Sequence, residues 1–287
     1  MSISRYCVVF IFNQTFTWQF NINILNFMEK KLKSPLKAKP LRNPGESLQQ
    51  EMDNIFYDNV LLYVMLSTFA FVIAGLEWWR WYAHTPPTPV LWTVLAVVLF
   101  SMASWKIRIA WKQIKNIKLG MDGEKAVGQF LERVREYGAN VFHDVPAIGF
   151  NLDHVVIHST GVYVIETKTF SKPDKGEAKL VYDGEQVLKN GFQLDRNPIV
   201  QVTAASKWLC ELLENSTGRK FPIKSVVVFP GWFIEQTPEA KKSNVWVLNP
   251  KALPEYIKSG KEILQLDEVK MCSFHLSKYV RASWESI

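Results

Sequence analysis

The stretch Asn151-Leu-Asp-His-Val-Val-Ile-His-Ser-Thr-Gly-Val-Tyr-Val-Ile-Glu-Thr-Lys168 constrains this chain most. It reads as two short apolar strands joined by a tight turn. Asp153, Glu166 and Lys168 interrupt a run of Val, Ile, Leu and Tyr. Strand side chains alternate faces, so Glu166 and Lys168 share one face. A turn centred on Ser159-Thr160 sets Asp153 opposite Glu166. A turn centred on Thr160-Gly161 sets it opposite Lys168. Either register gathers two carboxylates and an ammonium on one sheet, where burial is costly unless the charges are used.

Apolar residues on both alternations predict a sheet covered on both faces. A structural salt bridge is the plain alternative for such a cluster. In a doubly covered sheet its desolvation cost weighs against that alternative. Two carboxylates suit a hard divalent cation such as Mg²⁺ or Mn²⁺, and a neighbouring lysine suits charge developing on a phosphoryl group.

The surrounding pattern predicts helices packed on this sheet. Asp122-Gly123-Glu124 reads as a helix start with Asp122 as N-cap, followed by Val127, Phe130, Leu131 and Val134 at helical spacing. Glu124 falls on the apolar face of that helix. It is either a first-turn carboxylate favoured by the helix dipole or an acid aimed at the sheet. Asn140–Val145 reads as a strand, Lys179–Leu188 as a hairpin around Asp183-Gly184, and Asn197-Pro198 as a helix start with Gln201 in its first turn. Val226–Phe229 and Val245–Leu248 read as buried strands. Helices near Pro250–Ile257 and Leu266–Tyr279 complete an α/β (α+β) arrangement. His154 and His158 fall on the strand face opposite Asp153, and His143 on another strand, so all three read as structural or surface residues. No Gly-rich phosphate loop, Gly-x-Ser-x-Gly elbow or Cys-x-x-Cys is present.

The N-terminal part has a different character. Val60 to Leu76 carries no charge, and Trp81 to Trp105 has no Lys, Arg, Asp or Glu. A spanning helix needs about 20 mostly apolar residues. The first run reaches that length through Glu77 into Trp78-Trp79. The second reaches it from Val90 to about Ile109, with Lys106 and Arg108 snorkelling. Trp78, Trp79, Trp81, Tyr82 and Trp92 surround a Pro-rich connection like an aromatic belt. The prediction is a two-span hairpin, against the alternative of two buried core helices. Lys30, Lys31, Lys33, Lys37, Lys39 and Arg42 precede the first run, and Lys106, Arg108, Lys112, Lys115 and Lys118 follow the second. Only Arg80 lies between. Positive-inside counting puts both termini in the cytoplasm and the hairpin in the inner (cytoplasmic) membrane. These flanks outnumber the whole net charge of +7, so the basic balance is largely a topology signal. Cys7, Cys210 and Cys272 show neither disulfide nor metal spacing, as in a reducing compartment. The first 27 residues make a poor signal peptide. Met28 opens Met-Glu-Lys-Lys-Leu-Lys and reads as the start of translation, with an interfacial anchor as the alternative.

Several of these pieces together resemble one family. Gly123-Glu124, Asn151-Leu-Asp153-His154, Gly161-Val-Tyr-Val-Ile-Glu166-Thr-Lys168, Asn197-Pro198-x-x-Gln201 and the strand ending at Phe229-Pro resemble the NERD (nuclease-related) domain, from about Gly120 to Val247. That domain belongs to the PD-(D/E)XK, restriction-endonuclease-like superfamily. The resemblance implies a mixed sheet flanked by helices and nuclease activity. It implies Asp153 and Glu166 as metal ligands, Glu124 as an accessory acid, Lys168 as the catalytic lysine and Gln201 as its companion on the next helix. The organisation expected is a basic tail at 1–55, a membrane hairpin at 56–110, the nuclease-like domain at 119–250 and a helical extension at 251–287. The function expected is a membrane-anchored, Mg²⁺- or Mn²⁺-dependent nuclease acting on nucleic acid, DNA foremost. Two rivals are a membrane-tethered binding or scaffolding protein without catalysis, and a domain acting on another phosphate compound.

Overall fold

The computed structural model describes residues 40–85, 88–173 and 177–283. Helix α1 (Glu46–Ile55) runs through a π-helical turn (Phe56–Leu61) into α2 (Leu62–Tyr82), and α3 spans Pro89–Arg135. The buried positions of this pair are small and recur every seven residues. They are Val60, Ser67 and Ala74 on one arm, and Ala96, Ala103 and Ala110 on the other. Ala70 lies between Ser67 and Ala74 and packs with Ala74 and Ala96. A seven-residue repeat of small side chains lets two helix backbones approach closely, as spanning helices do. The outward faces are apolar and bare, with Phe69, Trp79, Leu91 and Trp105 all exposed. Only 22% and 11% of the most apolar windows of the two arms are buried. Neither arm is covered here as a buried core helix would be. Both arms are long and apolar enough to cross a membrane. At the turn, Glu77 Oε2 accepts from the Thr88 N–H at 3.1 Å and Oε1 pairs with Arg80 at 2.9 Å.

One expectation is corrected here. No helix begins at Asp122; α3 continues without a break from Pro89 through Glu124 to Arg135. At 1.5 Å per residue it is about 70 Å long. Nothing between Lys112 and Glu124 can stop it, since proline is absent and Gly120 and Gly123 only weaken a helix interior. Gly123 is needed for proximity, because a Cβ there would collide with the Thr169 side chain. Glu124 is consequently a mid-helix residue, and the first-turn dipole explanation for it falls away. The start at Met28, Cys7 and the cations from Lys30 to Lys39 lie outside the described residues.

The strands β1 (Asn140–Ala147), β2 (Phe150–His158), β3 (Gly161–Thr167), β7 (Ile223–Val228) and β9 (Val245–Leu248) form one mixed sheet in that order. β1, β2 and β3 are antiparallel; β3, β7 and β9 are parallel. Helices α4 (Pro198–Thr217) and α6 (Leu266–Ala282) cover one face through Val202, Leu209, Leu213, Cys272 and Leu276. The C-terminal half of α3 and the short α5 (Leu253–Lys258) cover the other through Val127, Leu131, Leu253 and Ile257. The sheet is thus buried on both sides, as its double apolar alternation requires. A smaller sheet, β6 (Phe192–Gln193), β5 (Val187–Lys189), β4 (Lys179–Tyr182) and β8 (Phe233–Gln236), packs beside it. Its β4–β5 hairpin turns at Asp183-Gly184 as expected, whereas β6 and β8 are too short to carry a periodic signal.

Candidate active site

The β2–β3 register pairs His154 with Ile165 and His158 with Gly161. Continued by one step, it sets Asp153 opposite Glu166, the outcome of a Ser159-Thr160 turn. Gly161 takes φ +137, which favours glycine. By strand alternation Glu166 shares its face with Val162 and Val164, which pack in the α4-side core. Lys168 follows directly after β3, and its N–H donates to Val228 O at 2.9 Å, which holds it beside β7.

The Lys168 ammonium links the group. Its Nζ donates to Glu166 Oε1 at 2.7 Å and to Gln201 Oε1 at 2.8 Å. Gln201 reaches it from the first turn of α4, whose start is fixed by Asn197 accepting from the Ile199 N–H at 2.9 Å. Asp153 Oδ2 accepts from the Thr167 N–H at 2.6 Å, which aims the carboxylate at the end of β3. Glu166 is buried, while Asp153 and Lys168 keep partial exposure and Gln201 is open to solvent. The site is therefore a cleft with a buried floor.

Electrostatics bind Glu124 to the same cluster. Burial, then Asp144 and Glu166, push its carboxyl up to about 7; the Gly45 N–H and Lys168 pull it back. Burial, followed by Glu166 and Glu124, pushes Asp153 well above the usual carboxylate range, against the Thr167 N–H and Lys168. Burial also raises Glu166, opposed by its bond to Lys168. Three carboxylates thus crowd one another and share one ammonium. Among the described residues, no three His, Cys, Asp or Glu side chains form a ready cage for a metal ion.

Asp144 escaped the sequence reading. It holds φ +48 between the paired couples His143–His154 and Val145–Leu152. Its carboxylate takes Arg42 at 3.3 Å and the Ser47 hydroxyl at 2.6 Å. An isolated Asp in a short strand gives no periodic signal, and Arg42 read as a membrane flank. The histidines bond partners outside the cluster. His143 and His154 share a 2.8 Å contact between ring nitrogens. Burial first, then Arg135, lowers His143 to about 4; burial, then His143, lowers His154 well below its usual value. His158 bonds Thr160 at 2.8 Å.

Residues 119–230 match the family model of NERD, the nuclease-related domain, a restriction-endonuclease-like domain. The match covers all five residues of the cluster. No curated protein and no solved structure matches the chain.

Proposed function

We propose that this chain, which carries a nuclease-related domain at residues 119–230, is a membrane-anchored, metal-dependent nuclease that cleaves phosphodiester bonds of nucleic acid, DNA foremost, in the cytoplasm. The observation that carries the reading is the Lys168 ammonium, held between Glu166 and Gln201 beside Asp153. A purely structural bridge would need one carboxylate. Here burial holds the pKa of three carboxylates above their ordinary values, a cost that a bound cation would offset.

The donor set fits a hard divalent cation. Asp153 and Glu166 would hold Mg²⁺ or Mn²⁺, with Glu124 supporting and water completing the shell, which suits an ion that keeps several of its waters. When bound, such an ion would polarise a phosphoryl oxygen and lower the pKa of its water. The protein's own groups do the rest. The Thr167 N–H keeps Asp153 oriented. Glu166 and Gln201 together fix the direction of the Lys168 ammonium. Lys168 would stabilise negative charge developing on the transferred phosphoryl group.

The membrane reading rests on the bare apolar faces of α2 and α3 and on their basic flanks. Lys106, Arg108, Lys112, Lys115 and Lys118 follow the second apolar run, whereas Arg80 in the connection is paired with Glu77. The domain then faces the cytoplasm at the end of a continuous helix. The full chain in detergent should nick plasmid with Mg²⁺ or Mn²⁺ and stop with chelator, and a cytoplasm-dependent reporter fused after Ile287 should be active. Tight nucleic-acid binding without any cleavage would favour the tethered, non-catalytic rival.

The raised pKa of Glu124 gives a pH prediction. Its folded value, about 7, lies above the ordinary 4.5. The protonated form is therefore favoured by folding, and its contribution is complete below pH 4.5 and lost as pH rises through about 7. Metal-free wild type should lose melting temperature over that interval relative to Glu124→Gln, which cannot titrate. Mg²⁺ binds the ionised cluster, so it should raise the wild-type melting temperature more above pH 7 than below it. Parallel wild-type and Glu124→Gln profiles would remove Glu124 from the cluster.

A further inference from the structure

A cleft of about 530 Å³ opens beside Lys168 and is lined by Phe170, Lys189, Phe192, Leu194, Asp195 and Arg196 among others. It is continuous with the cluster, because Lys168 belongs to both. Three cations face a single carboxylate there. Among the described residues neither Lys189 nor Arg196 forms an ion pair.

The aromatic residues of the cleft are of two kinds. Phe170 belongs to its floor, stacked on Phe229 at 6.0 Å and edge-on to Trp232 at 6.2 Å. Lys189 lies over that floor, 4.7 Å from the Phe170 ring and 5.0 Å from the Trp232 ring. Cation–π contacts hold the ammonium in place without neutralising it. Phe192 is different. It starts β6 just after the two-residue turn Asn190-Gly191, whose φ values of +53 and +81 fit the tight hairpin that matches strand twist. The residue is 77% exposed. A short, stiff hairpin thus presents a bare aromatic ring on the rim of a basic cleft that leads to the phosphodiesterase site.

We propose that this cleft binds a single-stranded segment of the nucleic acid, with a base stacked on Phe192 and backbone phosphates on Lys189 and Arg196. The proposal rests on the nuclease reading and names its substrate class. Aromatic rings interleaved with cations suit strands whose bases are splayed out, since every base has a face to stack and every link carries a charge. A duplex keeps its bases inside and would offer Phe192 nothing but sugar and phosphate. Substrates with flaps, tails or loops would then be threaded past Phe192 toward Lys168.

The test uses the full chain in detergent, with chelator present so that nothing is cleaved. Fluorescence anisotropy would compare a labelled oligothymidylate with a blunt hairpin duplex of the same length. Wild type should prefer the single strand. Phe192→Ala should weaken strand binding about tenfold, the effect of one lost stacking interaction, and Phe192→Tyr should restore it. Arg196→Gln should weaken both probes and flatten the salt dependence. Equal strand affinity for wild type and Phe192→Ala overturns the proposal, as does tighter binding of the duplex. If the wild type nicks plasmid with Mg²⁺ in either of those cases, the cleft assignment alone has failed. If strand binding depends on Phe192 but no metal gives cleavage, the cleft stands and hydrolysis has failed.

Discussion

Lys168→Ala should lower plasmid nicking by about 10²–10³-fold, the usual effect of removing one electrostatic partner of a transition state. The lysine is no metal ligand, so Mg²⁺ binding measured by calorimetry should persist. Its loss also leaves Glu166 buried without its 2.7 Å partner and deprives Asp153 of a charge that lowers its pKa. Metal binding by the variant should therefore become more sensitive to acid, because a proton competes better for both carboxylates. Asp153→Asn should behave differently and lose metal and activity together. Gln201→Ala should fall between wild type and Lys168→Ala, since it frees the ammonium without removing it. Nicking by Lys168→Ala at the wild-type rate would mean that the chemistry lies elsewhere.

The cluster was legible because strand alternation is rigid. Once Asn151–Lys168 is read as two strands with a two-residue turn, Asp153 and Glu166 have little freedom left. Asn197-Pro198 placed Gln201 in the first turn of α4, but only the family resemblance connected it with the cluster. Glu124 was assigned to the right face of the wrong helix. Its spacing to Val127 and Leu131 sets its face, but Asp122-Gly123 mimics a helix start within a helix that runs on from Pro89. Local capping signals cannot distinguish a start from an interior when the preceding residues are also helical. Asp144 and the small sheet were illegible for another reason. Their partners lie far along the chain, as with Arg42 and Ser47 for Asp144, and β8 for β4. Arg42 shows how a flank signal misleads, because a cation counted for topology is committed to a buried ion pair.

Asp144→Ala should destabilise the protein by about 3–5 kcal/mol, the range for removing one partner of a buried ion pair. The carboxylate accepts from Arg42 at 3.3 Å, from the Ser47 N–H at 2.9 Å, from the Ser47 hydroxyl at 2.6 Å and from Asn151 at 3.1 Å. Arg42 and Asp144 side chains are only 3% and 2% exposed, so water cannot replace those bonds. The same segment lays Pro44 against Gly128 and Gly45 against Met121, while the Gly45 N–H reaches Glu124. Asp144 therefore fastens the start of α1, and through it the apolar hairpin, to the sheet next to the cluster. Losing it should also lower the pKa of Glu124, since Asp144 is the first charge that raises it. Replacing both partners with apolar residues, Arg42→Met with Asp144→Leu, should recover much of the loss, because no buried charge is then stranded. Chemical denaturation of the three proteins in one detergent measures both effects. A single-variant cost below about 1 kcal/mol would give the pair no more weight than a surface bridge, and the segment before α1 would have to be held by its apolar contacts with α3 alone.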